Sequence, residues 1–272
     1  MVMQMQQVER TDTRRLTEEF ERIGAKIEAR LDLKLGREVR LDVDSSAKGE
    51  VFDIAFGDRA LRKIVDVEPK LRQILLGSVG ATDGEQHYLC GRDESHWFVA
   101  SVPELRGGVR NVADAFEALK PGAVLESQAR HGLSDAEKLT RQNAAYKRQG
   151  EWFFVPRAKL IVPKDQIRQR EPVMRPRGKP HYLEYAFRKG GRPVMVCQAY
   201  LEGLPLDEWR KLVRKNRTAR EYEWTEMRAD PRLFARGLVT HSDHKPMYLH
   251  GWHEVFISRE GESLDWSVRF LD

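Results

Sequence analysis

Four of the chain's eight histidines fall within thirteen residues. They lie in the string GLVTHSDHKPMYLHGWHEVF as His241, His244, His250 and His253, with Asp243 and Glu254 among them. Imidazoles and carboxylates at this density are the raw material of a divalent-metal site. If Asp243 to Pro246 form a hairpin turn, antiparallel pairing sets Ser242 against Met247, His241 against Tyr248, Thr240 against Leu249 and Val239 against His250. That register puts His241, Asp243, His250 and Trp252 on one face or its rim and sends His253 to the other side, opposite Arg236. A His2Asp set would leave coordination positions for water, the arrangement a metal-dependent hydrolase or nuclease needs. The H-x-D-H spacing reproduces no general zinc signature such as HExxH, and polar decoration of a hairpin or a structural hydrogen-bond network accounts for the same residues.

A second chemistry is suggested by YKRQGEWFFVPRAKLIVPK, where Tyr146, Trp152, Phe153 and Phe154 alternate with Lys147, Arg148, Arg157, Lys159 and Lys164. RNA or single-stranded DNA is held by cations along the phosphates and aromatic faces against the bases. Trp152 or Tyr146 is the stacking candidate, and Arg141, Lys147, Arg148, Arg157 and Lys159 are the phosphate candidates. A later stretch adds Arg210, Lys211, Arg214, Lys215, Arg217 and Arg220, of which Arg210, Arg214 and Arg217 repeat at helical spacing as one stripe. Solvated charge on a helix face, or aromatic residues filling a core, explains either pattern without a ligand. The strings contain no RNA-recognition-motif core. Cys90 and His96 flank Gly91–Ser95, so a Cys-His pair is geometrically open, although a strand cysteine is more often a small core residue.

The elements that must position these groups read as a mixture. Leu16, Phe20, Ile23, Ile27 and Leu31 are spaced for a helix over 11–31, and Val39–Asp44 and Glu50–Gly57 alternate as strands. Strands are also expected at Leu71–Leu76, His87–Cys90 and Trp97–Val102, and a helix at Val109–Leu119. Ser134 with Glu137 begins a capping box for a helix to about Arg148. Trp152–Val155 and Leu160–Val162 look extended, and the proline-rich 164–180 looks like an exposed loop. Strands at His181–Arg188 and Pro193–Leu201 precede a basic helix over Leu206–Arg220, a hairpin of Phe234–Thr240 with Met247–Ser258, and a last strand at Leu264–Leu271. No regular βαβ alternation, GxGxxG or GxxxxGK[ST] is present, so the expected class is α+β with mainly antiparallel sheet and N-terminal, central and basic C-terminal-half helices. The organisation expected is a β-rich domain at 1–105 with its N-terminal helix, a helical connector at 106–148, and a basic and aromatic α+β domain at 149–272.

The 272 residues are 40% hydrophobic and carry a net charge of only +5. That total is unevenly placed. Residues 134–180 hold 12 basic against 5 acidic groups and 181–220 hold 9 against 4, whereas 1–105 and 221–272 are each net −4. A central basic segment between acidic flanks suits nucleic acid or another polyanion, and equally an acidic protein partner. Two cysteines exclude a disulfide framework, and no apolar window is long enough for a membrane helix, so a cytoplasmic protein is expected, with no cofactor beyond a divalent ion.

The strings HYLCGRDESHWFVASVPE at 87–104, RQGEWFFVP and HSDHKPMYLHGWHEVF resemble stretches of an uncharacterised bacterial protein family. The resemblance implies a bacterial-type cytosolic protein and carries over no catalytic residue. The functional expectation is a nucleic-acid-associated protein using 134–220, with a metal-dependent hydrolase or nuclease on the 237–257 hairpin and a protein-interaction module as alternatives.

Overall fold

A computed structural model describes residues 13–46, 49–79, 85–104, 107–175 and 178–261. The chain is α+β with mostly antiparallel sheets, and it divides into two compact units, one running to Thr140 and resuming at Ser258, the other spanning Arg141–Ile257. Among the described residues no helix is long and apolar enough to cross a membrane.

In the first unit a helix, α1 (13–22), presents Leu16, Phe20 and Ile23 to the core. It does not continue to 31. Gly24 takes φ +78°, a left-handed conformation that closes a helix, and the Arg72 guanidinium donates to the carbonyls of Ile23 and Gly24. Ile27–Leu31 is instead strand β1, parallel to β3 (Gly49–Phe56), which pairs antiparallel with β2 (Val39–Ser46). The i, i+4 spacing of Ile27 and Leu31 is also a period-two spacing, so the pattern alone did not distinguish them.

The strands β4 (Leu61–Glu68), β5 (Gln73–Val79), β6 (Glu85–Asp93) and β7 (His96–Val102) form an antiparallel meander, of which β4 was not anticipated. Alternation gives this sheet two buried faces. Ile74, Leu76 and Cys90 join α1 and β3, while Leu75, Leu89, Ala100 and Val102 pack on α2 (Val112–Ala118) through Val112, Ala115 and Phe116. α3 (Gly122–His131) and α4 (Asp135–Lys138) follow. The capping box at Ser134 and Glu137 forms, but α4 lasts only four residues rather than reaching Arg148. Asn143 Oδ1 accepts from the amides of Ala145 and Tyr146, and the Arg148 amide bonds back to the Arg141 carbonyl, so the chain folds on itself. The stretch expected as a connector is therefore shared, its helices belonging to the first unit and its last residues to the second.

The second unit is built on six antiparallel strands in the order β10-β11-β15-β16-β9-β8: β8 (Lys147–Gln149), β9 (Trp152–Pro156), β10 (Arg168–Val173), β11 (His181–Lys189), β15 (Arg232–Thr240) and β16 (Met247–Ile257). One face buries Trp152, Phe154, Leu183, Val239 and Leu249, and the other Phe187, Phe234 and Trp252. The expected loop at 164–180 holds β10, whose Pro172 is tolerated because β10 is an edge strand. Leu160–Val162 is not a strand, and Leu160 and Val162 pad the second face while Ile161 is exposed. A smaller antiparallel sheet, β13-β12-β14, is made from β12 (Arg192–Cys197), β13 (Tyr200–Pro205) and β14 (Thr225–Ala229). Between β13 and β14 run α5 (Leu206–Lys215) and α6 (Arg217–Arg220), separated by Asn216, whose side chain caps α6. The strand expected at Leu264–Leu271 lies outside the described residues.

Candidate metal centre

The β15–β16 hairpin forms with a longer turn than the sequence suggested. Val239 pairs with Met247, Leu238 with Tyr248 and Gly237 with Leu249, so the connection runs from His241 to Pro246 and the register is three residues away from the expected one. His250 consequently leaves the set: it is exposed, with its ring edge-on to Tyr248 at 4.9 Å. His253 is opposite Ala235 rather than Arg236, and its Nδ1 donates to the Gly251 carbonyl at 2.8 Å.

What joins His241 comes from another strand. β11 pairs with β15 so that Tyr182 faces Thr240, and one step further His181 meets His241. Their rings stack at 4.1 Å with 22° between planes, and His244 lies 4.7 Å from His241 and 5.6 Å from His181. One ligand nitrogen from each of the three sits within 4.8 Å of the others. A tetrahedral ion with bonds of about 2.1 Å needs nitrogens roughly 3.4 Å apart, so modest ring rotations close the set.

His181 is the decisive member. Alternation along β11 puts it on the same face as Leu183, deep against Trp152, whose ring is edge-on at 6.3 Å. It is 1% exposed, and neither ring nitrogen has a hydrogen-bond partner. An orphaned buried polar atom costs about 1–3 kcal/mol, which a bound ion would offset. Burial, reinforced by the charges of His241 and His244, pulls its pKa down to about 3, so the imidazole is neutral and its lone pair free.

Two other contacts shape the cluster. Gly150, in the β8–β9 turn at φ +57°, lies so close that a β-carbon there would sit 2.9 Å from His244 Nε2 and 3.4 Å from His181 Nε2. Beside it the buried Gln149 donates from Nε2 to the Lys245 carbonyl at 2.7 Å, tying the histidine-bearing turn to β8. Asp243 is next to the cluster but turned to other work. Its amide donates to His241 Nδ1 at 3.1 Å, while its carboxylate accepts from Lys179 at 2.9 Å and Ser242 at 2.8 Å. Burial would raise that carboxyl, but these bonds hold it below the usual range.

No protein-family model, curated protein or solved structure matches this chain. The resemblance to an uncharacterised family thus brings no activity, and the site rests on its own geometry.

The basic and aromatic segment is placed differently from expectation. Trp152 is 1% exposed and Tyr146 0%, the latter edge-on to Phe153 at 5.5 Å, so neither offers a ring to a base. Lys147 donates to the Tyr248 carbonyl at 2.7 Å, and Arg148 donates to Gly150 at 2.7 Å. Arg141 is half-buried, and burial together with the Arg148 charge lowers its pKa to about 10. Lys159, Arg210, Arg214 and Arg217 are exposed. In the first unit Cys90 is fully buried, with its thiol pushed far up by burial, and His96 faces Glu50 at 2.7 Å, so the two form no nucleophile–base pair.

Arg157 is engaged by Glu254, a buried carboxylate that accepts from Arg157 Nε at 2.8 Å and from Arg232 Nε at 2.6 Å. Burial would raise the Glu254 carboxyl, but the Arg232 and Arg157 hydrogen bonds outweigh it and keep it below its ordinary value. A carboxylate depressed on folding stabilises the fold above its unfolded pKa of about 4.3, and that stability is lost as pH falls through the folded value. Glu254→Gln is expected to cost about 2 kcal/mol in urea unfolding at neutral pH. The gap to the parent should close as the pH falls below about 4. A gap constant with pH would mean the ion pairs contribute nothing.

Proposed function

We propose that this chain is a metal-dependent protein that holds one divalent first-row ion at His181, His241 and His244, with hydrolysis at the ion as its chemistry. Three imidazole ligands match zinc best and leave a coordination position for water or a substrate oxygen. The observation that carries the reading is His181, a buried imidazole with two unpartnered nitrogens facing two more imidazoles. His241 and His244 are only half-buried, which leaves the open position on the solvent side. There an ion would lower the pKa of its water towards about 7 and polarise a carbonyl or phosphoryl oxygen.

The test is titration of chelator-treated protein with Zn2+ by calorimetry and with Co2+ by visible absorption. One equivalent is expected to bind, with the intense bands of a four- or five-coordinate cobalt centre, and to survive His250→Ala. Binding that depends on His250, or no saturable binding, would overturn the assignment. Turnover of an activated phosphodiester or ester by the zinc-loaded protein, absent from a His241→Ala, His244→Ala variant, checks the hydrolytic part.

A further inference from the structure

The pairing of cations with aromatic rings expected near residue 150 is found elsewhere in the second unit. α5 turns Trp209, Leu212 and Val213 inward and lies on β12 and β13, leaving Arg210, Lys211, Arg214 and Lys215 exposed on its other face. After the Asn216 cap, α6 adds Arg217 and Arg220. From Arg210 to Arg220 the sequence has six cations and no carboxylate. Arg210 and Arg214 are one turn apart on α5, about 6 Å along its axis. Arg220 locks α6 to the end of α5 by donating to the carbonyls of Val213 and Arg214, at 2.5 and 2.7 Å. Asp207 and Glu221 approach Lys211 and Arg217 only at 4.0 and 3.9 Å with all four side chains well exposed, and such pairs are too weak to withhold the cations from a ligand.

An aromatic cluster follows α6 directly. Trp224 donates from Nε1 to the Ala219 carbonyl at 2.7 Å, stacks on Tyr200 at 5.5 Å, and meets Trp209 edge-on at 6.3 Å. Tyr222 is tilted against Trp224 at 6.1 Å and is 36% exposed, the outermost ring of the group. A supported, outward tyrosine at the end of an acid-free run of cations meets both requirements of single-strand recognition: charge for phosphates and a π face for a base. An acidic protein partner would use the cations but has no need of the ring.

We propose that α5, α6 and Tyr222 form a binding surface for single-stranded nucleic acid, with phosphates on Arg210, Arg214 and Arg217 and a base on Tyr222. The surface shares no residue with the histidine cluster, so its test runs in EDTA and stands or falls apart from the metal reading. The probes are fluorescein-labelled 12-mers of oligo-uridine and oligo-deoxythymidine, followed by anisotropy with the full chain. Three phosphate contacts give a log–log salt slope near −2, so affinity should fall roughly twentyfold between 50 and 200 mM KCl. Tyr222→Ala should weaken binding about tenfold at unchanged salt slope. The Arg210→Glu, Arg214→Glu, Arg217→Glu variant should lose binding, and its circular dichroism and melting should match the parent because all three side chains are exposed. The proposal fails if neither oligomer binds, if the charge reversal leaves affinity intact, or if Tyr222→Ala has no effect. It also fails if duplex DNA or phosphatidylserine vesicles are bound in preference to the single strands.

Discussion

His181→Leu is expected to abolish zinc binding while leaving the metal-free fold intact. Leucine comes close to imidazole in volume, fills the space beside Trp152 and Leu183, and removes two buried nitrogens that have no partner. The metal-free variant should therefore melt within about 1 kcal/mol of the parent, since the lost polar atoms offset any packing misfit. The parent at a zinc concentration a hundred times its dissociation constant gains about 2.7 kcal/mol from ligation, which for a chain of this size raises the melting temperature by roughly 5–10 °C. In the variant that rise should vanish, and zinc affinity should fall at least about a thousandfold, because two half-buried imidazoles remain without the ligand that fixes their geometry. A variant that keeps the zinc-dependent rise would place the ion elsewhere. A variant that unfolds without metal would make His181 a packing residue.

This histidine is also where the sequence was least legible. The density of 241–253 marks the hairpin, but a cluster of this kind is made by strand neighbours, and His181 is sixty residues upstream with no local mark beyond following Pro180. Knowing that β11 pairs with β15 would have sufficed, since Tyr182 opposite Thr240 leads at once to His181 beside His241. The other error came from turn length. A four-residue turn at Asp243–Pro246 puts His250 in the set, whereas the observed connection starts at His241 and turns His250 out to solvent. The aromatic run at 152–154 misled for a different reason. β9 lies inside the six-stranded sheet and is covered on both faces, so Trp152 and Phe154 fill one core and Phe153 packs with Tyr146. A continuous apolar run is the mark of such a strand, and of the flanking cations Lys147 and Arg148 bond to carbonyls and Arg157 to Glu254. Arg210 and Arg214 on α5 follow from local helical periodicity, whereas the single helix expected over 206–220 breaks at the extended Asn216, so Arg217 belongs to α6 and not to the same stripe.

The largest stability effect is expected in the first unit, at Glu117. Lys120 is 0% exposed, and its ammonium is held by Glu117 Oε1 at 2.5 Å and the Lys138 carbonyl at 2.7 Å, with the Phe116 ring 5.1 Å away. Gln128 donates to the same carboxylate at 3.2 Å. Lys120 thereby clasps α4 to the end of α2, the helix that covers the outer face of the β4–β7 sheet. Glu117→Ala removes the carboxylate held 2.5 Å from a buried ammonium, which should cost about 3 kcal/mol and lower the melting temperature by roughly 10 °C. Replacing the pair together, as Glu117→Gln with Lys120→Met, should recover most of that loss, because the desolvation of the buried ammonium disappears with the attraction. Thermal and urea unfolding of the single and double variants decides the matter. If the single change costs less than about 1 kcal/mol, solvent reaches the ammonium and the clasp is not what holds α4 in place.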